Sequence, residues 1–292
     1  MFKYLLFLVL TILVFSCIHD TKKPEDSSTL FDSDSISIRL RYADVLFEVP
    51  SPYQTSLYLK RSNIRFDERL LNSESNIKNL TTNFNKAIVI GIYGTDISYL
   101  NLYDQKELTL KYMDRLNNVL NDIDVLKCLD KSCIKKLQDN LGNNDSLIYY
   151  LSILYQNGDS YLSENDRRDI GSQIIAGGWI ESIYILTGLY RKNNNEEILN
   201  VILYQSEILD NLIKLLAPYY EKSKEFTELV DSLINIAYEF DLIDKKEYKF
   251  EVITDTVKHH TLVNNHSKFI LNGSKLDNLS KLVKETRNKL IL

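Results

Sequence analysis

The chain contains few of the residues that form tight turns. Nine glycines and four prolines are spread over 292 residues. A β-sandwich has a turn at the end of nearly every strand, and glycine and proline are the residues that such turns favour. This scarcity argues against a β-sandwich, and the abundance of Leu, Ile, Asn, Lys and Glu favours an all-α fold. We expect a helical bundle or stacked helical hairpins, with room for a minor two-stranded ribbon.

A concentrated positive charge is also missing. The formal net charge is -5, whereas a nucleic-acid-binding domain needs a clustered basic face. We therefore predict no nucleic-acid partner. The chain also lacks a glycine-rich phosphate loop, the zinc-protease motif HExxH and the hydrolase motif GxSxG. No cofactor is predicted, and no motif supports enzymatic activity.

Apart from the N-terminus, no segment looks like a membrane element. Residues 5–15 are uncharged and follow Lys3, but this run is shorter than the roughly twenty residues that span a bilayer. A short apolar run behind a basic residue is typical of a signal peptide. It ends in VFSC at 14–17, which resembles the lipobox of bacterial lipoproteins. By that resemblance residues 1–16 are removed and Cys17 carries acyl chains such as palmitate, which anchor the protein to a membrane; an ordinary signal peptide with a chance cysteine is the alternative.

These features divide the chain into three parts. Residues 1–16 are the predicted lipoprotein signal peptide, residues 17–35 are a flexible polar tether, and residues 36–292 are a single helical domain. Ile18 stands where an aspartate would favour retention at the inner membrane. We therefore expect the protein at the outer membrane, facing the periplasm.

Cysteine and histidine are too sparse for a predicted metal site. Cys128 and Cys133 are the only cysteines besides Cys17, and an exported compartment makes a disulfide between them possible if a turn lies between. His259 and His260 are adjacent, so they point to different faces of the helix that we predict over residues 254–270. We interpret that histidine segment as a solvated face and predict no metal ligands.

One stretch stands out for its lack of charge. Between residues 87 and 103, Asp96 is the only charged residue, as expected for a central helix surrounded by others. Gly91 and Gly94 lie on one strip of this helix together with Thr95. We predict that another helix packs closely against these small residues.

A second stretch, residues 169–190, shares this design. It has one carboxylate inside its apolar run, Glu181, and two adjacent glycines, Gly177 and Gly178. Aligning Asp96 with Glu181 also superposes two tyrosines and places a long amphipathic helix after each stretch. We predict that the two helices meet in the core through their glycines, and a duplicated helical hairpin is a hypothesis.

The paired carboxylates have two interpretations. Asp96 and Glu181 can hold a cation or act as an acid and base. Alternatively, they accept structural hydrogen bonds that fix the helix register. We favour the structural interpretation.

The other helices follow from apolar periodicity and capping signals. Thr81 or Thr82 is expected to cap the central helix and Asp104 the next one. Further helices are predicted over residues 197–216, 223–240 and 254–270 and from residue 274 onward, and a weak ribbon is predicted between residues 36–40 and 248–252.

Several motifs resemble a family of exported bacterial lipoproteins of uncharacterised function. They are VPSP at 49–52, LLN at 70–72, GIYGTDISY at 91–99 and GGWIESIY at 177–184. The resemblance implies an anchored helical lipoprotein and gives no catalytic residue. We therefore expect a binding or scaffold protein of the cell envelope whose partner is an envelope protein or glycan. The alternative is a metal-dependent or acid/base hydrolase using Asp96 and Glu181.

Overall fold

The structure is a computed structural model. It describes residues 37–42, 45–50, 59, 64–73, 80–123, 132, 135–136, 139–140, 161–162, 164–243, 246–255, 260–269 and 273–291.

The elements with described bounds are six helices and four strands. The helices are α1 Asn83–Leu102, α2 Lys106–Asp122, α3 Arg168–Asn193, α4 Glu196–Leu216, α5 Lys224–Ile243 and α6 Gly273–Ile291. The strands are β1 Ser37–Tyr42, β2 Val45–Pro50, β3 Lys246–Asp255 and β4 His260–Phe269. Short 3₁₀ turns lie at Glu68–Leu70 and Ala217–Tyr219.

Helices α1 and α3 form the centre of a helical bundle, which confirms the predicted fold class. They make the most extensive helix contact of the described fold, α2 packs on α1, and α4 and α6 pack on α3. Both central helices are apolar on most of their circumference and bury most of it. Helices α4 and α5 instead bury one stripe of Leu and Ile side chains, as amphipathic helices do. The predicted helices over residues 197–216 and 223–240 correspond to α4 and α5.

The two ends of α1 are closed by different kinds of hydrogen bond. The Thr82 side chain accepts a hydrogen bond from the backbone N–H of Asn85, so Thr82 is the N-cap. The prediction that Asp104 caps α2 is wrong. Asp104 has a left-handed φ of 56°, and its N–H donates to Asn101 while the next N–H donates to Leu100. Asp104 therefore closes the C-terminus of α1 in a Schellman motif, and α2 begins after it without a side-chain cap.

The described strands form two separate antiparallel hairpins. β1 pairs with β2, and β3 pairs with β4. The predicted ribbon between residues 36–40 and 248–252 is therefore wrong in its pairing, because each strand finds a partner close in sequence and a short loop is cheaper to close than a long one. The predicted helix over residues 254–270 is also wrong, since β4 occupies much of it. That segment contains several β-branched residues, which favour strands over helices.

Candidate functional site

The contact between α1 and α3 depends on glycine at two positions. A Cβ atom on Gly91 would overlap the carbonyl oxygen of Ile174, and one on Gly177 would overlap the carbonyl oxygen of Ile88. In each case the obstacle is the backbone of the opposite helix, which cannot move aside as a side chain can. The two helix axes therefore approach each other only because neither glycine has a side chain.

The other two predicted packing glycines behave differently. A Cβ on Gly178 would stand 3.5 Å from the carbonyl oxygen of Gly91, an ordinary contact distance. The Thr95 hydroxyl donates to the carbonyl oxygen of Gly178 at 3.1 Å. A Cβ on Gly94 would meet no atom of the described residues within 4 Å, so the predicted role of Gly94 in close packing is wrong. It lies on the same side of α1 as Gly91 but outside the contact with α3.

The close approach brings Asp96 and Glu181 together. Both residues are fully buried, and their carboxyl groups share a hydrogen bond. Arg287 from α6 completes the cluster: its Nη2 donates to Glu181 Oε1 at 2.7 Å and its Nε donates to Oε2. The bidentate guanidinium contact gives Glu181 two charge-assisted hydrogen bonds.

Asp96 has a different set of partners. Its Oδ2 accepts a hydrogen bond from the backbone N–H of Asn72 at 3.1 Å, and its Oδ1 accepts none from the described residues. Burial raises the pKa of Asp96 well above its ordinary value, and the negative charge of Glu181 raises it further. This raised pKa favours the protonated form of Asp96, which can donate a hydrogen bond to Glu181.

The surroundings of Glu181 favour its ionised form more than those of Asp96 do. Burial raises the pKa of Glu181, but the charge of Arg287 and the hydrogen bonds from Arg287 and Asp96 oppose that rise. Burial by itself lowers the pKa of Arg287, but the charge and hydrogen bonds of Glu181 together with the nearby Asp96 and Tyr184 outweigh it, so the net shift is upward. These directions favour a cluster of one neutral acid, one carboxylate and one guanidinium, in which the charges cancel.

Tyrosines surround this cluster. The Arg287 guanidinium lies 4.2 Å from the ring centre of Tyr184, a cation–π contact. The Tyr112 hydroxyl donates to the carbonyl oxygen of Asn72 at 2.8 Å and so holds the backbone segment that binds Asp96. Burial raises the pKa of Tyr93, and the nearby carboxyl groups raise it further, so this tyrosine remains protonated.

The cluster is closed to substrates. Asp96 and Glu181 have no exposed surface and Arg287 has 5 %, whereas a general acid or base must reach a proton of its substrate. The position that a bound cation would take beside Glu181 is filled by Arg287 of the chain itself. This arrangement favours the structural interpretation of the carboxylates and gives the hydrolase alternative no open site. The hydrogen bonds of the cluster join α1, α3, α6 and the segment around residue 72.

Arg287 and the Asn72 backbone were not among the predicted partners of the carboxylates. A signal for Arg287 was present: Leu276, Leu279 and Val283 form the buried stripe of α6, and Arg287 continues that stripe four residues on. A charged residue on an apolar helix face indicates a buried partner of opposite charge. The Asn72 contact uses a backbone N–H, which every residue except proline has, so the sequence contained no signal for it.

Several of the remaining predicted residues fall in parts of the chain that the structure does not describe. Cys17, Cys128, Cys133 and His259 lie outside the described residues. His260 begins β4 instead of lying on a helix. Among the residues that the structure describes, no three histidine, cysteine or acidic side chains come together as metal ligands would.

No known protein family, curated protein sequence or solved structure matches this chain. Within the described part of the chain, none of the helices combines the length and the apolar character needed to cross a membrane.

Proposed function

We propose that this protein is a lipid-anchored protein of the bacterial cell envelope with a binding or scaffold role and no catalytic role. The N-terminal sequence supports the anchor: a basic residue, a short apolar run and Cys17 in a lipobox-like setting. Lipid on Cys17 attaches the protein to the membrane, and Ile18 favours the outer membrane facing the periplasm. The envelope partner is a protein or a glycan.

One observation carries the non-catalytic part of this proposal. Asp96 and Glu181 are the carboxylates that the sequence marks for chemistry, and both are fully buried and engaged in hydrogen bonds with structural partners. Two buried carboxyl groups with such hydrogen bonds fix the positions of the helices that carry them. The central helices therefore serve as a rigid frame, and binding belongs to the surface of the bundle.

Substitution of the lipidated cysteine tests the anchor. The full chain and its Cys17→Ser variant are expressed in a bacterium that is fed radiolabelled palmitate, and the membranes are separated on a density gradient. We expect label and outer-membrane fractionation for the full chain and neither for the variant. Cys128→Ser is the matched control and should keep both. A Cys17→Ser protein that still fractionates with membranes contradicts the anchor.

Cross-linking of the natively anchored protein tests the binding role. The cross-linked complexes are purified and their protein or glycan components are identified, with the Cys17→Ser chain as the unanchored control. A stoichiometric partner that depends on anchoring supports the proposal. A chain that remains alone in the envelope and hydrolyses an envelope polymer refutes it.

A further inference from the structure

The hairpin of β3 and β4 has two outer edges. β3 pairs with β4 along its whole length, and among the described strands no third one joins them. In the same part of the chain, no helix makes an extensive contact with either strand. The outer edge of a strand presents backbone N–H and C=O groups that can pair with a strand of another chain. A two-stranded hairpin alone is marginally stable in water, so an added strand would stabilise this one.

The charges of β3 complement those of a second β3. An antiparallel pairing with its two-fold axis at Phe250 places Lys249 of each strand opposite Glu251 of the other. Opposite charges at directly opposite positions stabilise a strand pair, whereas like charges oppose it. The equally long register centred one residue further on would place Glu251 opposite Glu251 and Glu247 opposite Asp255. The charge pattern therefore favours the register centred on Phe250.

The same register matches the apolar residues of β3. Tyr248, Phe250 and Val252 share one face of β3, because alternate residues of a strand lie on the same face. In the two-fold pairing Phe250 is opposite its own copy, and Tyr248 is opposite Val252. Aromatic pairs and pairs of an aromatic with a β-branched residue are favourable across strands. Val252 is also opposite Val263 of β4, so this apolar face would continue across four strands.

The edges of β4 and β1 lack this complementarity. β4 contains Lys268 and no acidic residue, so a second β4 offers it no opposite charge. In β1, Arg39 and Arg41 flank Leu40. A two-fold pairing at Leu40 would therefore place arginines opposite each other, which is unfavourable. The comparison singles out the edge of β3.

We propose that this protein forms a homodimer in which β3 pairs antiparallel with β3 of a second copy, centred on Phe250. The two hairpins then form one four-stranded sheet in the order β4–β3–β3–β4. Lys249 and Glu251 of each copy form ion pairs with Glu251 and Lys249 of the other. The two-fold pairing uses the same edge of both copies, so association through β3 ends at the dimer. This inference goes beyond the binding role proposed above and depends neither on the lipid anchor nor on the envelope partner.

Charge reversal tests the pairing. The molar mass of the detergent-solubilised full chain is measured by size-exclusion chromatography with light scattering over a range of concentrations. We expect a dimer for the wild type. Lys249→Glu and Glu251→Lys each place like charges opposite one another and should raise the dissociation constant of the dimer at least tenfold. A monomeric wild type, or dimers of unchanged affinity in both variants, would overturn the proposal.

Two restorations separate lost complementarity from misfolding. An equimolar mixture of Lys249→Glu and Glu251→Lys chains should form a mixed dimer, because each chain supplies the charges that the other needs. The double variant should dimerise alone. Within the hairpin, His266 and Asn264 are opposite these two positions, so the exchange adds no like-charge pair there. Arg39→Glu in β1 is the control and should leave the dimer unchanged. If neither restoration gives a dimer, the proposed register is wrong.

A disulfide at the two-fold axis tests the register independently. Directly opposite residues of antiparallel strands have Cα atoms about 4.5–5.5 Å apart, a separation that a disulfide can bridge. After mild oxidation, Phe250→Cys should give a dimer linked between the two copies of residue 250, identified by mass spectrometry of its peptides. Leu40→Cys at the centre of β1 is the matched control and should give no such link. Absence of the link at residue 250, or equal linkage at residue 40, would refute the two-fold pairing.

Discussion

Asp96 and Glu181 occupy comparable places in two central helices of similar sequence, but their environments differ. Glu181 faces the guanidinium of Arg287 and accepts two hydrogen bonds from it. Asp96 faces a backbone N–H, that of Asn72. A backbone amide stabilises a carboxyl oxygen but brings no full positive charge. We therefore expect the carboxyl beside the guanidinium to be ionised and the one beside the amide to keep its proton.

The difference shows how two buried acids coexist with one cation. Two carboxylates beside a single guanidinium would leave an uncompensated charge in the core, which is costly. Protonation of Asp96 removes that charge and supplies a donor to Glu181. The pair therefore acts as one unit, and Glu181, Asp96 and Arg287 should respond differently to substitution.

The largest expected effect separates the two acids directly. Glu181→Gln leaves Arg287 buried without its counter-charge and should reduce the free energy of unfolding by about 3–5 kcal/mol. Asp96→Asn keeps an acceptor for Asn72 and a donor to Glu181, so it should cost less than about 1 kcal/mol at neutral pH. Urea unfolding measures both. Equal losses in the two variants would show that the acids do not differ in charge.

The next effect compares two glycines of α1 that lie one turn apart. Gly91→Ala places a methyl group against the backbone of α3 and should destabilise the protein by at least about 1–3 kcal/mol, because backbone cannot repack. Gly94→Ala adds a methyl group in open space within a helix and should stabilise it by about 0.5–1 kcal/mol. Thermal unfolding gives both values. Changes of the same sign at the two positions would contradict the described contact.

The third effect is a pH dependence that belongs to Asp96. Its pKa is raised in the folded protein, so the folded state holds a proton that the unfolded state releases above about pH 3.9. The stability contributed by this group is fully present below that pH and is lost as pH rises towards the folded pKa, with a slope of up to about 1.4 kcal/mol per pH unit. Unfolding of wild type and Asp96→Asn between pH 4 and 9 measures the difference. Parallel pH profiles would mean that Asp96 is ionised in the folded protein.

The smallest effect compares the two tyrosines that follow the acids. The Tyr99 hydroxyl accepts a hydrogen bond from the backbone N–H of Asp67 at 3.0 Å, so Tyr99→Phe should cost about 0.5–1.5 kcal/mol. Tyr184 contributes its ring to Arg287, and Tyr184→Phe keeps that ring. We expect a change of less than about 0.5 kcal/mol for Tyr184→Phe in the same unfolding assay. A larger loss at Tyr184 than at Tyr99 would reverse this assignment.

Local sequence signals predicted the helices well where an apolar pattern extended over many residues. The apolar character of residues 87–103 and 169–190 marked the two central helices, and their glycines indicated a close helix contact. The predictions were wrong for Asp104 and for residues 254–270. In both cases a capping or helical signal competed with another local structure, a left-handed helix end at Asp104 and a hairpin at β4.

The sequence by itself determined the bundle class and the two apolar helices that each carry one acid, because these depend on residue type and periodicity. Only the tertiary structure decided which acid contacts a guanidinium and which a backbone N–H. Glu181 and Arg287 are 106 residues apart in sequence, and Asp96 meets the backbone of Asn72, 24 residues away. The pKa of a buried group depends on its neighbours in space, and the packing of α6 and of the segment around residue 72 supplies those neighbours.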